Sequence, residues 1–369
     1  MTETVLSSDP VLSYGIMIII QSFSFRKDLI HMSEQTVPAI ARAWHLDSRP
    51  EGWPQPSGFS LREVELPAPG PGQLLVANEY LSVDPYMRGR MSDKKSYIEP
   101  YEVGAPMDGP AVGRVLASNA EGFAPDDHVL HVLGWRDYAV IDAATAQKVD
   151  PNLAPLPAYL GVLGLTGLTA YIGLDRFAKV KEGDTVFVSG AAGAVGSVAG
   201  QIARLKGAGR VIGSTGSDEK VKLLVEEYGY DAAFNYKNGP VAEQLAQAAP
   251  DGIDVFFDNV GGEQLEAAIG ALRLHARIVL SGMVSQYNDE KVVGPRNLWN
   301  LAVTRSDILS FMFSEELDIQ PKFVQEVGGW LATGQLHYRE TVREGLENTL
   351  DAFLALMRGE NVGKMIVKL

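Results

Sequence analysis

The feature that most constrains the fold is the stretch of residues 184–207, which reads DTVFVSGAAGAVGSVAGQIARLKG. It begins as an apolar run typical of a buried strand, passes through a turn of small residues, and ends as a helix. Such a turn brings the N–H groups at the start of the helix close to a pyrophosphate, as in dinucleotide-binding sites. In the G-x-G-x-x-G pattern, Ala191 takes the first position, and Gly193 and Gly196 take the other two. Tight packing of a strand against a helix could also explain this glycine pattern. The strand before the turn and the helix after it favour nucleotide binding.

The next strand, residues 210–214, predicts which dinucleotide the turn would hold. An NAD-binding unit has an acidic residue about 20 positions after the turn, which accepts hydrogen bonds from the ribose hydroxyls. Here the strand ends in hydroxyl residues, Ser214 and Thr215, followed by Ser217 and, one turn into the next helix, Lys220. An ammonium group at this place suits a 2′-phosphate. The sequence therefore predicts that the cofactor is NADPH rather than NADH. The alternative interpretation is that Lys220 is an ordinary solvent-exposed helix residue.

Composition excludes several classes of function. The 369 residues, 46% of them hydrophobic, are enough for two domains with their own cores. A net charge of −14 disfavours nucleic-acid and anionic-membrane partners. The chain has no cysteine, which excludes disulfides, thiolate catalysis and cysteine-ligated metals. His128 and His131 fall on one predicted strand with their side chains on opposite faces, so no metal site is predicted.

The first 38 residues are interpreted separately from the rest. Their apolar run, residues 15–20, is too short to span a bilayer. Glu3 and Asp9 stand where a signal peptide would have basic residues. We therefore expect residues 1–38 to be a disordered extension and the protein to be cytoplasmic. A hydrophobic anchor and a true start at Met32 are the alternative interpretations.

The remaining sequence changes its pattern near Pro151. Before it, short apolar strands alternate with glycine and proline turns, which indicates a β-barrel-like domain. After it, strands alternate with helices, which indicates a parallel doubly wound sheet. Ligands of such sheets bind at the carboxyl ends of the strands, where residues 258–262 and 281–283 lie. The tail, residues 363–369, is again predicted to be a strand and to return to the first domain. The clearest predicted strands are residues 74–77, 111–116, 128–132, 185–189, 210–214, 232–235, 253–257 and 277–280.

From residue 39 to the C-terminus, nine motifs in this order resemble the medium-chain dehydrogenase/reductases. The resemblance is to their zinc-free branch of alkenal double-bond reductases, prostaglandin/leukotriene reductases and curcumin reductases. The absence of cysteine fits this branch, because the zinc-dependent branch needs cysteine ligands. The motifs are residues 81–88, 134–138, 164–171, 191–196, 216–220, 234–237, 258–262, 282–288 and 359–364.

The resemblance implies a fold and a reaction. The fold is α/β, with a GroES-like β-rich catalytic domain (residues 39–160 with 335–369) and a doubly wound Rossmann domain that binds NADPH (residues 161–334). The reaction is the NADPH-dependent reduction of the C=C bond of α,β-unsaturated ketones and aldehydes. An NADPH quinone oxidoreductase and a non-catalytic NADPH-binding protein are the alternatives. Dimers are common among such proteins, so a homodimer is also expected.

The resemblance also implies the residues of the site. Lys220 and Tyr236 match residues that bind the adenosine 2′-phosphate. Tyr287 lies near the nicotinamide ribose and the substrate, where a neutral phenol could donate to the oxygen on which charge develops. The alternative, given equal weight, is that Tyr287 only packs against the ribose and that water supplies the proton. The expected cofactor contacts are Ala191, Gly193, Ala194, Val195, Gly196, Ser217, Lys220, Tyr236, Asn259 and Asn361, and the expected substrate contacts are Tyr86 and Trp135.

Overall fold

The computed structural model describes residues 38–289 and 291–369. The interpretation of the N-terminal extension therefore falls outside the described residues, except at residue 38. The strands are β1 (Ile40–Leu46), β2 (Phe59–Glu65), β3 (Gln73–Ser82), β4 (Ala111–Ser118), β5 (His128–His131), β6 (Tyr138–Asp142), β7 (Gln147–Val149), β8 (Thr185–Val188), β9 (Arg210–Thr215), β10 (Ala232–Asn235), β11 (Ile253–Asp258), β12 (Leu272–Leu280), β13 (Asp307–Ser310), β14 (Glu340–Glu344) and β15 (Lys364–Lys368). The α-helices are α1 (Tyr86–Arg90), α2 (Leu165–Tyr171), α3 (Gly196–Leu205), α4 (Asp218–Glu226), α5 (Val241–Ala248), α6 (Gly262–Gly270), α7 (Trp299–Thr304), α8 (Gln320–Ala332) and α9 (Thr349–Met357).

The doubly wound sheet predicted from the strand–helix alternation is present. Six strands pair in the order β10-β9-β8-β11-β12-β13, and every pair is parallel. All their carboxyl ends therefore lie along one edge of the sheet. Strands β8 to β11 agree with the predicted ranges to within one residue at each end. Strand β12 begins at Leu272, before the predicted residue 277. Its first half is exposed at Leu274 and His275, where the backbone has φ +63° at His275, and so it lacks the continuous buried run of the other strands.

Burial on both faces explains why the sequence of this sheet is so apolar. Val186 and Val188 of β8 pack into a core cluster on one face, and Phe187 between them packs into a second cluster on the other. Strands covered on both faces appear as continuous apolar runs rather than as alternating ones. The ring of Phe187 stacks on Phe256 of β11, with ring centroids 4.9 Å apart. These contacts fix the edge of the sheet from which the glycine-rich turn emerges.

The second sheet gathers strands from both ends of the chain. Its order is β14-β15-β3-β4-β5-β7, and β6 also pairs with β3. The C-terminal strand β15 runs antiparallel to β3, with Ile366 opposite Ser82. The tail is therefore a strand, and it pairs with a strand that precedes Pro151. The limits between residues 160 and 161 and between 334 and 335 stay a prediction.

A buried ion pair joins this C-terminal strand to the residues before α1. The Lys364 Nζ atom lies 2.9 Å from Asp84 Oδ1, and the two side chains are only 5% and 8% exposed. The same Nζ donates to the carbonyl oxygens of Val83 at 2.9 Å and Met365 at 3.1 Å. The Ser82 hydroxyl donates to the other oxygen of Asp84. An ion pair removed from water is tolerated only when its remaining donors and acceptors are satisfied in this way.

The two histidines of β5 have different surroundings, as their spacing predicts. His131 is buried, with Nε2 2.8 Å from Asn78 Oδ1, and burial lowers its pKa to about 3. His128 is partly exposed and lies 3.6 Å from Glu79. Across residues 38–289 and 291–369, no three His, Asp or Glu side chains are grouped so that they could hold a metal ion. Over the same residues, none of the helices combines the length and apolar character that crossing a bilayer requires.

Candidate active site

The glycine-rich turn joins β8 to α3 and is held by backbone bonds. Gly190 has φ +58°, and its carbonyl accepts the N–H of Gly193 at 3.0 Å. A Cβ on Gly196 would lie 2.3 Å from the Gly190 carbonyl oxygen, so only glycine fits there. Among the described residues, no acceptor receives the backbone N–H of Ala194 or Val195. Free N–H groups at the start of a helix form an anion site, so the turn fits a phosphate.

Two lysines and a tyrosine lie near the ends of β9 and β10. Lys220 is on α4, and its Nζ donates to the Gly359 carbonyl at 2.6 Å. Burial, and secondarily the neighbouring charge of Lys237, lower the pKa of Lys220. The Tyr236 hydroxyl would be 3.1 Å from a Cβ at Gly216, so the ring lies against the turn that follows β9. A half-buried lysine beside a second cation is stabilised by an anion, which a 2′-phosphate would provide.

The turn after β11 fixes the segment that leads to Tyr287. The Asp258 carboxylate is fully buried and accepts hydrogen bonds from the Ser189 hydroxyl at 2.7 Å and from the N–H groups of Val260 and Gly261, both at 2.9 Å. Burial raises the pKa of Asp258. The Asn259 side-chain amide donates to the Ser189 carbonyl at 2.8 Å. The Asp258 backbone carbonyl then accepts the N–H groups of residues 281 and 282.

Tyr287 follows a short helical turn and is half-buried. Its hydroxyl oxygen accepts the N–H of Met283 at 3.3 Å, and burial raises the pKa of the phenol. The next residue, Asn288, accepts a hydrogen bond from Arg88 Nε of α1 at 2.8 Å. Arg88 also donates to the Gly52 carbonyl at 2.7 Å and is 7% exposed. Helix α1 therefore holds the loop that carries the tyrosine.

Tyr86, the first residue of α1, faces the same region as Tyr287. Both side chains pack against the core cluster that contains Met87 and Met365. Burial, and secondarily the charge of Asp84, raise the pKa of Tyr86. Both phenols are thus neutral over the whole physiological range of pH.

The C-terminal segment crosses to the glycine-rich turn. The Gly363 N–H donates to the Ala192 carbonyl at 2.8 Å, and residues 193 and 363 form an isolated parallel bridge. The Asn361 side-chain amide donates to the Gly363 carbonyl at 2.7 Å. The next residue, Lys364, forms the ion pair with Asp84. One short segment therefore contacts both the turn that would hold phosphates and the residues before Tyr86.

One cleft of about 1060 Å³ brings most of the predicted site residues together. A second cavity, of about 1010 Å³, lies beside α5 and α6 and contains none of them, so the first is the candidate site. The predicted residues that line the cleft are Tyr86, Gly193, Ala194, Val195, Gly196, Lys220, Tyr236, Asn259, Tyr287 and Asn361.

Three predicted site residues do not line the cleft. Ala191 is fully buried beneath the turn, where its N–H donates to the Ser214 carbonyl at 2.9 Å. Ser217 is the N-cap of α4, and its hydroxyl accepts the N–H of Lys220 at 3.3 Å. Ser214 is also unavailable to a phosphate, because its buried hydroxyl donates to Gln264. Of the three hydroxyl residues that the sequence places near the end of β9, Thr215 is therefore the one that lines the cleft.

Trp135 is the third of these residues. Its side chain is 0% exposed and packs edge-to-face on Phe353, with ring centroids 6.0 Å apart. The backbone of Trp135 has φ +58°, and the ring lies against Gly109 in the core rather than in the cleft wall. The structure thus gives this tryptophan a packing role, and we do not retain it as a substrate contact.

Several cleft residues were not selected from the sequence. Lys237, Met312 and Lys364 line the cleft, and of these Lys237 and Lys364 stand within motifs already noted at residues 234–237 and 359–364. Thr166 also lines it, and its hydroxyl is buried with no hydrogen-bond partner among the described residues. A buried hydroxyl without a partner is uncommon in a protein and fits a bound group that supplies one.

Two family models match the chain over most of the described sequence. The model for the N-terminal domain of oxidoreductases covers residues 42–149. The model described as zinc-binding dehydrogenase covers residues 194–327. The second description is that of the wider family, since this chain has no cysteine to ligate zinc.

Individual proteins match at much greater length. The NADPH-dependent curcumin reductase of Escherichia coli (strain K12) is 40% identical over 333 residues, which are 89% of this chain and 96% of that protein. The NADP(+)-dependent 2-alkenal reductase of Nicotiana tabacum is 40% identical over 322 residues, 86% of this chain and 94% of that protein. A crystal structure of CurA in complex with NADPH from Vibrio vulnificus has 41% identity and a TM-score of 0.85, and the match covers 89% of this chain and 98% of that one.

These matches and the two large sheets define a medium-chain dehydrogenase/reductase with a GroES-like domain and a Rossmann domain, and the predicted fold class is confirmed. The chain belongs to the zinc-free branch of this class, among the alkenal, curcumin and prostaglandin reductases. That branch is a family of NADP-dependent oxidoreductases.

The close contact at Gly196 gives a direct test of the turn. We expect Gly196→Ala to lower the free energy of unfolding by about 1–3 kcal/mol, because the added methyl cannot fit against Gly190 without moving backbone. The matched control is Gly328→Ala in α8, where a Cβ meets nothing within 4 Å. There the change should stabilise the helix by up to about 1 kcal/mol. Denaturant unfolding measures both, and equal effects at the two sites would contradict the geometry.

Proposed function

We propose that this protein is an NADPH-dependent reductase of the C=C bond of α,β-unsaturated ketones and aldehydes. The observation that carries the proposal is the arrangement of the cleft. Free N–H groups and two lysines lie at one end, and the half-buried neutral Tyr287 lies at the other. The names of the relatives given above, a curcumin reductase and a 2-alkenal reductase, support the same function.

The cleft fits NADPH by the chemistry of its donors. Ala194 and Val195 offer N–H groups to the pyrophosphate, and Lys220 with Tyr236 offers an ammonium and a hydroxyl to the 2′-phosphate. Asn361 and the buried hydroxyl of Thr166 are further polar contacts along the cleft. No carboxylate follows β9 in the position that would select NADH.

The reaction adds two hydrogens across the double bond. When bound, NADPH supplies the hydride that goes to the β-carbon, and the carbonyl oxygen then gains enolate charge. Tyr287 donates its O–H to that oxygen, and its own oxygen accepts the Met283 N–H, so the two bonds strengthen each other. Tyr287 passes this proton to the enolate, solvent water returns a proton to the phenolate, and tautomerisation of the enol places the proton on the α-carbon of the saturated ketone or aldehyde. Tyr86 forms a wall of the same pocket and is not assigned a proton.

Three other expectations are kept as part of the proposal. The division into residues 39–160 with 335–369 and residues 161–334 describes the two domains. A cytoplasmic location stays a prediction. The homodimer also stays a prediction. Exposed apolar side chains support it, since Trp299 of α7 is 77% exposed and Ile308 of the edge strand β13 is 40% exposed.

The first experiment compares three acceptors with the purified protein and NADPH. We expect an enone or medium-chain alkenal to be reduced to a product that retains its carbonyl, while a saturated aldehyde is not reduced. Oxidation of NADPH by a quinone alone would instead support a quinone reductase. Binding of NADPH without turnover of any acceptor would indicate a non-catalytic NADPH-binding protein. Absorbance at the NADPH band and mass analysis of the product distinguish these outcomes.

The choice of NADPH over NADH should depend on Lys220. We expect Lys220→Ala to weaken NADPH binding by about tenfold to a hundredfold, because one charge-assisted bond is worth about 1.5–3 kcal/mol. Binding of NADH should change little, since that cofactor lacks the 2′-phosphate. The matched control is Lys222→Ala, which removes an exposed lysine of the same helix that does not line the cleft. Fluorescence titration measures both affinities, and an equal loss for both cofactors would remove Lys220 from this role.

The role of Tyr287 can be separated from simple packing. We expect Tyr287→Phe to lower kcat for the enone by about a hundredfold or more while NADPH affinity stays the same, because a donor to the developing charge is lost. Because its pKa is raised, the wild-type phenol stays protonated beyond its ordinary value of about 10, so kcat should show no tyrosine-dependent fall below about pH 10. Tyr138→Phe, which changes a tyrosine of β6 outside the cleft, is the control. An unchanged kcat would support water as the proton source.

A further inference from the structure

The buried carboxylate of Asp258 carries a charge that no cation compensates. Three donors converge on its Oδ1 atom, namely the Ser189 hydroxyl at 2.7 Å and the N–H groups of Val260 and Gly261 at 2.9 Å. In the part of the chain that the structure describes, its Oδ2 atom is buried and has no hydrogen-bond partner. Within the same part, burial raises the pKa of Asp258 and no cation lies near enough to lower it.

The hydrogen bonds of Asp258 favour its ionised form. Protonation would place an O–H on Oδ2, which meets no acceptor among the described residues, whereas the ionised group keeps all three donors on Oδ1. Hydrogen bonds to the charged form oppose the effect of burial on the pKa. A buried charge that is held by dipoles alone is stabilised further by a positive charge that comes near it.

The order of the parallel strands indicates which half of a dinucleotide Asp258 would face. In a doubly wound sheet the dinucleotide lies across the carboxyl ends of the strands, with its pyrophosphate at the glycine-rich turn. Here that turn follows β8, and Lys220 and Tyr236, which follow β9 and β10, lie on one side of it. Strand β11, which ends at Asp258, is the neighbour of β8 on the other side. With the adenosine half at Lys220, the nicotinamide half would pass over the end of β11.

On this side the cleft comes close to Asp258. The next three residues, 259–261, line the cleft, and the Asp258 backbone carbonyl accepts the N–H groups of Ser281 and Gly282, which also line it. A Cβ built on Gly282 would lie 3.4 Å from the Tyr287 hydroxyl oxygen. Burial raises the pKa of Tyr287, and the charge of Asp258 adds to this rise. The carboxylate therefore lies behind a cleft wall formed by its own turn, and its charge acts across that wall.

The other acids of the cleft are compensated or screened. Among the described residues, the acids that line it are Asp84, Glu263 and Asp289. Asp84 is paired with Lys364, and Glu263 and Asp289 are exposed to water. Exposed charges are screened much more strongly than buried ones. We therefore expect Asp258 to be the acid that acts most strongly on the nicotinamide half of a bound cofactor.

We propose that Asp258 makes the cleft bind NADP⁺ more tightly than NADPH. The two cofactors have the same phosphates and differ at the nicotinamide ring, which is neutral when reduced and carries one positive charge when oxidised. An uncompensated carboxylate beside that half of the cleft stabilises the charged ring. NADPH then occupies the cleft only when it is in excess over NADP⁺. This inference goes beyond the proposed function, because it concerns the cofactor and depends on no substrate.

The test is a titration of the purified protein with NADP⁺ and with NADPH, each in the absence of an acceptor. We expect the wild-type protein to bind NADP⁺ about fivefold or more tightly than NADPH, as a charge interaction in a partly desolvated place would give. Isothermal titration calorimetry measures both dissociation constants without turnover. Equal affinities, or tighter binding of NADPH, would overturn the inference.

The variant Asp258→Asn separates the charge from the structure of the turn. Its amide keeps an oxygen for the three donors, so we expect the affinity for NADP⁺ to fall by about fivefold to thirtyfold and that for NADPH to change by less than about twofold. The matched control is Asp254→Asn, which neutralises an acid of the same strand that pairs with Arg273 at 2.8 Å and does not line the cleft. There the ratio of the two affinities should stay at the wild-type value. Equal losses for both cofactors in Asp258→Asn would assign the residue a structural role and contradict the proposal.

Folding and the proposed function are checked separately. Thermal unfolding shows whether Asp258→Asn is folded, and if it is not, the order of the two wild-type affinities decides. A protein that reduces no acceptor but binds NADP⁺ more tightly than NADPH fails the proposed function and supports this inference. Binding of neither cofactor would overturn both.

Discussion

The ion pair between Lys364 and Asp84 is the contact on which the geometry of the site depends. The two residues are 280 positions apart in the chain, and the pair is almost completely buried. It holds the C-terminal strand against the residues that precede α1. Three residues upstream of Lys364, Asn361 lines the cleft, and Gly363 bonds to the glycine-rich turn. A buried ion pair of this kind adds little net stability compared with a well-packed apolar pair. Removing one partner, however, strongly destabilises the protein, because the other charge stays buried without compensation. Its contribution is therefore one of position, because it ties the strand that contacts the glycine-rich turn to the residues before Tyr86.

Helix α1 extends this arrangement to the other side of the cleft. It is only five residues long, yet it begins with Tyr86 and contributes Arg88, which bonds to Asn288 beside Tyr287. A short helix has little stability of its own, so its position is set by these tertiary bonds. On the side of the parallel sheet, the Asp258 carboxylate holds the turn that precedes the Tyr287 loop through its three hydrogen bonds. The tyrosine is thus fixed from both sheets, which is what a donor aimed at a developing charge requires.

Local patterns in the sequence were sufficient to predict those parts of the structure that neighbouring residues determine. The parallel strands were predictable because burial on both faces makes each of them a continuous apolar run, and the glycine-rich turn was predictable because Gly196 must lie against Gly190. Ser217 was assigned to a phosphate although serine followed by acidic residues is also the pattern of a helix N-cap, which is the role it has here. Trp135 and Lys364 depend on partners far away in the chain, Phe353 and Asp84, and no local pattern reveals such pairs. Their positions required the folded structure.

Burial acts on the two ends of the cleft with opposite consequences. At Lys220 it disfavours the charged form, as does the neighbouring Lys237, and so this end gains most from an anionic ligand. At Tyr287 it also disfavours the charged form, but here the neutral form is the useful one, because only the protonated phenol can donate. A lysine or a protonated histidine in place of the tyrosine would have to carry its positive charge in a partly desolvated place. A neutral donor avoids this cost. The same removal of water therefore prepares one end for phosphate and keeps a proton available at the other.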